Sequence, residues 1–351
     1  MNLLSSFSGR NYQLESKAFN NGGEGEIFNI LNYRGYIAKI YRTVSKEKEM
    51  KLLFMHSKRP SQEILSQIAW PLDILYDNDR FCGFVANKLN TTGDLSSVYA
   101  YPPVQKIPIR KKVEIARNIC SVIDDVHQPN YIFGDFNPRN IGVNIHTGTV
   151  AFFDTDSYHI ILDKRFNAAY RCNVCLDGYV APELLKKFEH ESQRNPAVTS
   201  YADLSLDTFT KETDNFALAI HIFRLLMNGY TPFNGIKENA SVSQASPGIG
   251  NEAIIRDAYC FKPGNKPQAV AVPPLSILPP YIRLLFSRAF IGGKKYPHIR
   301  PDADEWNKAL YRYEKSLKSC KKDSSHQYFN VLSSCPWCEA DTRYKNAITS
   351  A

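Results

Sequence analysis

The sequence predicts an α+β fold of two lobes, a small β-rich N-terminal lobe and a large, mainly helical C-terminal one, followed by a short metal-binding tail. Three observations carry that reading. Residues 11 to 41 alternate apolar and polar positions around a glycine-rich turn, as strands do. From Arg110 to His127, Val113, Ala116, Ile119, Cys120 and Ile123 recur at helical spacing. Near the end, Cys335-Pro336-Trp337-Cys338 follows Cys320 and His326, a spacing that places four soft ligands within one short segment.

Taken in order, residues 1–10 read as an N-terminal extension, 11–90 as the small lobe, 91–315 as the large lobe and 316–351 as the tail. Within the small lobe, residues 11 to 41 suit a twisted hairpin and a third strand. Ser45 can cap a helix running to Ser57, with Met50, Leu53 and Phe54 on one face. Residues 68 to 76 and 81 to 89 read as two strands joined by Asp77-Asn78-Asp79. Thr91-Thr92-Gly93-Asp94 marks the junction. After the helix ending at His127, short strands flank a polar loop, and the remainder is mostly helix. Residues 235 to 280, rich in Pro, Gly, Ser and Asn, suit an irregular insertion.

Composition fits a folded enzyme-sized chain: 351 residues, 43% hydrophobic and 22% charged, with ample core. No run approaches 18 apolar residues, so no spanning helix is expected, and Met1 to Arg10 has no secretory pattern, so a cytoplasmic setting is expected. Eight cysteines without a secretory signal argue against a disulfide framework. The net charge of +8 favours anionic partners such as nucleotides, acidic proteins or nucleic acid.

The chemistry concentrates in Gly134-Asp135-Phe136-Asn137-Pro138-Arg139-Asn140 and Phe152-Phe153-Asp154. Asp135 can orient a hydroxyl and take its proton. Asn140 and Asp154 are hard oxygen ligands of the kind that hold magnesium, or manganese, against phosphates. Upstream, Gly22, Gly23 and Gly25 lie in Asn20-Asn21-Gly22-Gly23-Glu24-Gly25-Glu26, where backbone amides can approach phosphate. Lys39 follows in Tyr36-Ile37-Ala38-Lys39-Ile40-Tyr41.

In this order, with Ala181-Pro182-Glu183, Asp214-Asn215-Phe216-Ala217-Leu218-Ala219, Gly229-Tyr230-Thr231-Pro232-Phe233 and Arg300-Pro301, the chain resembles the eukaryotic-type Ser/Thr protein kinase superfamily over about residues 11 to 315. The resemblance implies ATP and magnesium as cofactors, a protein substrate, Asp135 and Lys39 as catalytic residues, and a shared nucleotide site for Lys39, Asp135, Asn140 and Asp154. It implies that Lys39 pairs with a helix glutamate; Glu49 is the first choice, with Glu47 and Glu63 as alternatives. It implies that Asp214 accepts backbone hydrogen bonds beneath the catalytic loop and that Arg300 pairs with Glu183.

Departures from the pattern matter. Asn20 replaces the first glycine of the phosphate loop, and Glu24 brings a charge to its tip. Gly134 stands where regulated kinases carry Arg, and Asn137 replaces a common lysine. Asp154-Thr155-Asp156-Ser157 replaces D-F-G, so Asp156 adds a carboxylate that either reaches a second magnesium or caps a turn. These features, with Glu305-Trp306 and the terminal C-P-W-C, resemble a bacterial kinase family often described as kinase plus helix-hairpin-helix proteins. Its relatives belong to a tellurite-resistance-associated phosphorylation triad, which implies a metal-dependent phosphatase and a von Willebrand A-type protein as partners. No helix-hairpin-helix segment is recognisable here, which argues against DNA binding by that route.

In the tail, Cys320, His326, Cys335 and Cys338 form the expected zinc set, with Cys172, Cys175, Cys335 and Cys338 as the rival. Cys82, Cys120 and Cys260 read as ordinary buried cysteines. Lys315, Lys318, Lys321 and Lys322 make the tail's approach basic. Three functional readings follow: an active Ser/Thr kinase, a nucleotide-binding pseudokinase scaffold, and a nucleic-acid-binding regulator acting through the tail.

Overall fold

A computed structural model describes residues 3–100, 106–128, 131–163, 168–204, 208–241, 246–269 and 271–349. The chain divides into two compact units, Met1–Thr91 with Ala151–Tyr158, and Thr92–Val150 with His159–Ala351.

The first unit is built on a curled antiparallel sheet of seven strands, β1 (Leu3–Ser6), β2 (Asn11–Gln13), β3 (Asn20–Asn21), β4 (Gly25–Asn29), β5 (Tyr36–Tyr41), β6 (Asp73–Asp77) and β7 (Arg80–Asn87), in the order β2-β1-β6-β7-β5-β4-β3. Residues 3–6, assigned by sequence to an extension, pair with both β2 and β6. Inward-facing Leu4, Tyr12, Leu14, Ile30, Ala38, Leu75 and Val85 form its core. Asn78 and Asp79 both adopt left-handed backbone angles, the geometry that a two-residue hairpin needs to match strand twist. The second predicted strand forms, but the first begins only at Asp73; Ile68 makes a single bridge to Phe152.

Helix α1 (Lys46–Ser57) starts where Ser45 accepts a hydrogen bond from the Lys48 amide. Its buried face is Lys51, Leu52 and Met55, one position away from the expected Met50, Leu53 and Phe54; Met50 is exposed. Apolar residues lie nearly all around this helix, so periodicity alone chose the wrong stripe. A short α2 (Gln62–Leu65) follows.

The second unit is mainly helical. Its elements are β8 (Gly93–Asp94), α3 (Leu95–Tyr99), α4 (Ile109–His127), β9 (Tyr131–Ile132), β10 (Ile141–Val143), β12 (His159–Asp163), β13 (Ala168–Tyr170), α5 (Pro182–Arg194), α6 (Lys211–Leu226), β14 (Gly235–Lys237), α7 (Asn251–Ile255), β15 (Asn265–Pro267), α8 (Pro280–Ser287), α9 (Gly293–Lys295), α10 (Ala303–Lys315), β16 (Leu317–Ser319), β17 (Gln327–Phe329) and α11 (Pro336–Thr349), while β11 (Val150–Phe152) runs from one unit into the other. On α4 the expected face, Val113, Ala116, Ile119, Cys120 and Ile123, is fully buried and packs on α10 and α6. Phe216, Phe223, Phe286, Phe290 and Tyr259 form an aromatic core around α6. The segment expected to be irregular pairs β14 with β15. Part of it, residues 242–245 and 270, lies outside the described residues. No described helix is long and apolar enough to cross a membrane.

Candidate active site and metal centre

In the first unit, β4 and β7 flank β5, and Lys39 lies opposite Ile27 and Phe84. Gly22, Gly23 and Gly25 sit at the β3–β4 turn. Only Gly25 is sterically required there, since a Cβ on it would stand 2.3 Å from the Ile40 carbonyl oxygen. The turn is held from outside by Arg42, which donates to the carbonyls of Gly22 (2.8 Å) and Gly23 (3.1 Å). Glu24 points toward Lys48, 3.3 Å away.

Lys39 Nζ donates to Asp154 Oδ1 at 2.6 Å and to both oxygens of Asp156 at 2.8 Å. The Tyr41 hydroxyl donates to Asp156 Oδ2 at 2.5 Å. Lys39 and Tyr41 share one face of β5 because side chains alternate along a strand, so both reach the same carboxylate. Asp154 adopts a left-handed backbone (φ 55°, ψ 34°), rare for a residue with a side chain. The turn is fixed by Ser157, whose hydroxyl donates to the Asp154 carbonyl, and by buried Thr155, which donates to the Ala69 carbonyl at 2.8 Å.

Electrostatics separate the two carboxylates. Burial pushes both upward. For Asp156, Lys39's charge and the hydrogen bonds from Lys39 and Tyr41 win, holding it below the usual carboxylate range. For Asp154, burial and the neighbouring Asp156 charge prevail over Lys39, and it rises. Lys39 itself is raised: burial opposes its charge, but the two aspartates outweigh burial.

The expected Lys39–Glu49 pair is replaced. Glu49 accepts from Lys46 (2.8 Å) and from the Tyr76 hydroxyl (3.1 Å), while Glu47 and Glu63 are exposed. The physical reason is Asp156: a carboxylate two residues past Asp154, buried and also bonded by Tyr41, takes the position at the ammonium that the helix glutamate was expected to fill.

In the second unit, Asp135 Oδ1 accepts from the Leu176 amide (2.9 Å) and Oδ2 from Asn140 Nδ2 (3.2 Å), so the structure brings these two candidate residues together. Asn137 caps the single turn Pro138–Asn140 by accepting from the Arg139 amide. The loop rests on a buried polar support. Asp214 accepts from the amides of Phe133 (2.7 Å) and Gly134 (3.1 Å) and contacts His127 Nε2 at 2.9 Å, the role expected of it. His221, fully buried, donates from Nε2 to the Phe136 carbonyl (2.8 Å) and accepts at Nδ1 from the Tyr99 hydroxyl (2.6 Å). A carbonyl can only accept, which fixes that tautomer. Burial lowers its pKa to about 3, so it is neutral.

Gly134 explains why no arginine precedes Asp135. Its φ is +70°, and a Cβ would lie 2.8 Å from Cys172 Sγ. Further along, Arg300 grips Glu183 with two bonds of 2.6 and 2.7 Å, as expected.

His221, Tyr41 and Arg42 escaped sequence reading. Signals existed: His221 lies two helical turns after Asp214 on the same face, and Tyr41 two residues after Lys39 on the same strand face.

The tail assembles the first of the two cysteine sets. Cys320 follows β16, His326 precedes β17, and Cys335 and Cys338 open α11. Their ligand atoms all lie within 4.8 Å of one another. Cys320 Sγ is 3.6 Å from Cys338 Sγ, and His326 Nδ1 is 3.6 Å from Cys338 Sγ and 3.8 Å from Cys335 Sγ. Ligands ~2.0–2.3 Å from a tetrahedral zinc stand ~3.5–3.8 Å apart, so the donor set and its spacing are compatible with zinc. His326 Nε2 faces Asp341 at 3.5 Å, the carboxylate–histidine arrangement that orients a ligating ring. The rival set is not formed: Cys172 is buried against the Val174 carbonyl, which it meets at 3.0 Å.

No family model matches the chain. A protein named Protein kinase YegI, from Escherichia coli O157:H7, is 28% identical over 336 residues, covering 92% of this chain and 48% of that protein. The protein of the same name from Escherichia coli strain K12 matches to the same extent. The chain thus spans about half the length of the curated relatives it matches. The mixed α+β architecture is consistent with a kinase-like fold, and likeness along nearly the whole chain to proteins named as kinases supports a protein kinase family.

Proposed function

We propose that this chain is an ATP- and magnesium-dependent protein kinase that phosphorylates Ser/Thr hydroxyls, itself included, in a bacterial phosphorylation system. The observation that carries the reading is the 2.6 Å contact of Lys39 with Asp154, which stand 115 residues apart. It sets a strand lysine beside the carboxylate of an altered D-F-G turn, the two groups that the resemblance assigns to nucleotide phosphates and to a metal ion.

Asp135 would accept the substrate hydroxyl proton, with the Leu176 amide and Asn140 orienting its carboxylate. Asn140 and Asp154 would hold magnesium, which supplies charge neutralisation on the phosphates. Lys39 would leave Asp156 to bind the α- and β-phosphates, with Gly22, Gly23 and Gly25 offering backbone amides. In the tail, Cys320, His326, Cys335 and Cys338 would hold a structural zinc. Partners of the metal-dependent phosphatase and von Willebrand A-type classes belong to the same proposal, as the resemblance implies.

Transfer of labelled γ-phosphate from ATP to a generic acceptor or to the chain itself, located by mass spectrometry, tests this. Asp135→Ala and Asp154→Ala should each lower the rate ~10²–10⁴-fold. Labelling that survives both substitutions sinks the reading.

One observation favours a second reading. The buried Lys39–Asp156–Tyr41 contacts occupy the lysine, which suits a slow or scaffold-like nucleotide binder. Nucleotide binding without transfer in the same assay would select it. A nucleic-acid role through the tail is less favoured, since Lys318 already donates to the carbonyls of Asn330 and Leu332. It requires binding that weakens steeply with salt.

A further inference from the structure

The start of α4 borders a cavity of about 90 Å³, several times the ~10–15 Å³ that a single water needs on the same measure. Ile109 and Trp337 wall it, and Lys112 and Asn228 reach into it. Both polar residues are at least nine-tenths buried, Lys112 being 7% and Asn228 9% exposed. Neither side chain makes a hydrogen bond or ion pair among the described residues.

A buried ammonium without a partner is expensive, and folded proteins rarely leave one unexplained. Burial lowers the Lys112 pKa only to about 8, so it still carries its proton at neutral pH. The neighbouring charges are already engaged. Lys106 at the mouth is bonded to Asp323 at 2.6 Å, and Asp341 faces His326. Among the described residues, the cavity therefore offers a guest the Lys112 ammonium and the Asn228 amide, beside the apolar Ile107, Ile109 and Trp337 and the polar Ser325.

We infer that this cavity is a binding site for a small oxyanion of the phosphate class, held by Lys112 and the Asn228 amide. The guest is either the free ion or the phosphoryl group of a modified side chain; the volume admits the phosphoryl group itself. Joining α4 to α11, an occupant would fasten the tail to the helical unit.

Calorimetric titration of the full chain, zinc-loaded and with saturating MgATP to mask any nucleotide site, tests this. Inorganic phosphate and a phosphoserine peptide are the two arms. One-to-one saturation by phosphate is expected, weakened at least ~10-fold in Lys112→Met, as for loss of a charged hydrogen bond. Lys112→Arg should retain binding, and Asp341→Asn should tighten it by removing a nearby negative charge. Where Lys112→Met fails to fold, Asn228→Asp, which adds repulsion inside the cavity, should abolish binding. Tighter binding of the peptide than of the ion assigns the site to a modified side chain, and the reverse to free phosphate. A titration showing only heats of dilution in both arms, or phosphate affinity unchanged in Lys112→Met or Asn228→Asp, overturns the proposal.

Discussion

The two units hold their candidate catalytic groups in opposite ways. In the helical unit, Asp135 and Asn140 stand on a loop whose backbone is bonded from below by Asp214 and neutral His221. In the sheet unit, Lys39 is held by Asp154 and Asp156, charges that the proposed phosphate contact would require it partly to release. The first arrangement is preorganised and the second is a restraint. In the helical unit the supporting groups are residues other than the candidates, whereas in the sheet unit the candidate ammonium is itself held by the carboxylates beside it.

The largest effect should come from cutting the support. Asp214→Ala removes the acceptor of the buried Phe133 amide and the half-buried Gly134 amide, and the partner of the buried His127 ring. Removing one member of a buried charged network costs ~3–5 kcal/mol, so denaturant unfolding should show that loss and phosphotransfer should fall with it. A variant of unchanged stability would mean the loop is not held from below, and the contrast between the units would collapse.

His221 sharpens the same point through pH. Its folded pKa, about 3, lies below its unfolded value, so between those values the unfolded chain binds more protons and stability falls as pH is lowered. From pH 7 to 4 that removes about 3 kcal/mol, at ~1.4 kcal/mol per pKa unit. In His221→Gln, which keeps an N–H for the Phe136 carbonyl, this part of the acid limb should vanish. An unaltered pH profile of unfolding would show that the imidazole is not buried neutral.

How far sequence carried differs between the units for a physical reason. The α4 face, Asp214 beneath the loop and the Arg300–Glu183 pair were all readable, because helical periodicity and a colinear motif series specify them locally. The tail quartet was readable because Cys-x2-Cys and a nearby Cys/His pair leave few arrangements. The Lys39 partner was not. It depended on which of several carboxylates, distant in sequence, burial would favour, and Glu49 lost to Asp156. The face of α1 was missed too, since apolar residues around the helix left no phase to read. Buried supports such as His221 carry no motif at all.

The smallest effect, and the sharpest test of the restraint, is Asp156→Asn. Asp156 sits below the usual carboxylate range, so its contribution to stability is present above the unfolded value and lost only as pH falls through the folded one; mild acid will not free Lys39. Substitution removes the charge while keeping an oxygen for the Tyr41 hydroxyl. Lys39 then keeps Asp154 alone, and ATP should bind up to ~10-fold tighter, about 1.4 kcal/mol, the scale of one partly buried charge interaction. The KM for ATP in the transfer assay, with a direct nucleotide titration beside it, reads this. Weaker binding, with loss of metal dependence, would instead make Asp156 a metal ligand, and the second carboxylate would be part of the catalytic apparatus rather than a hold upon it.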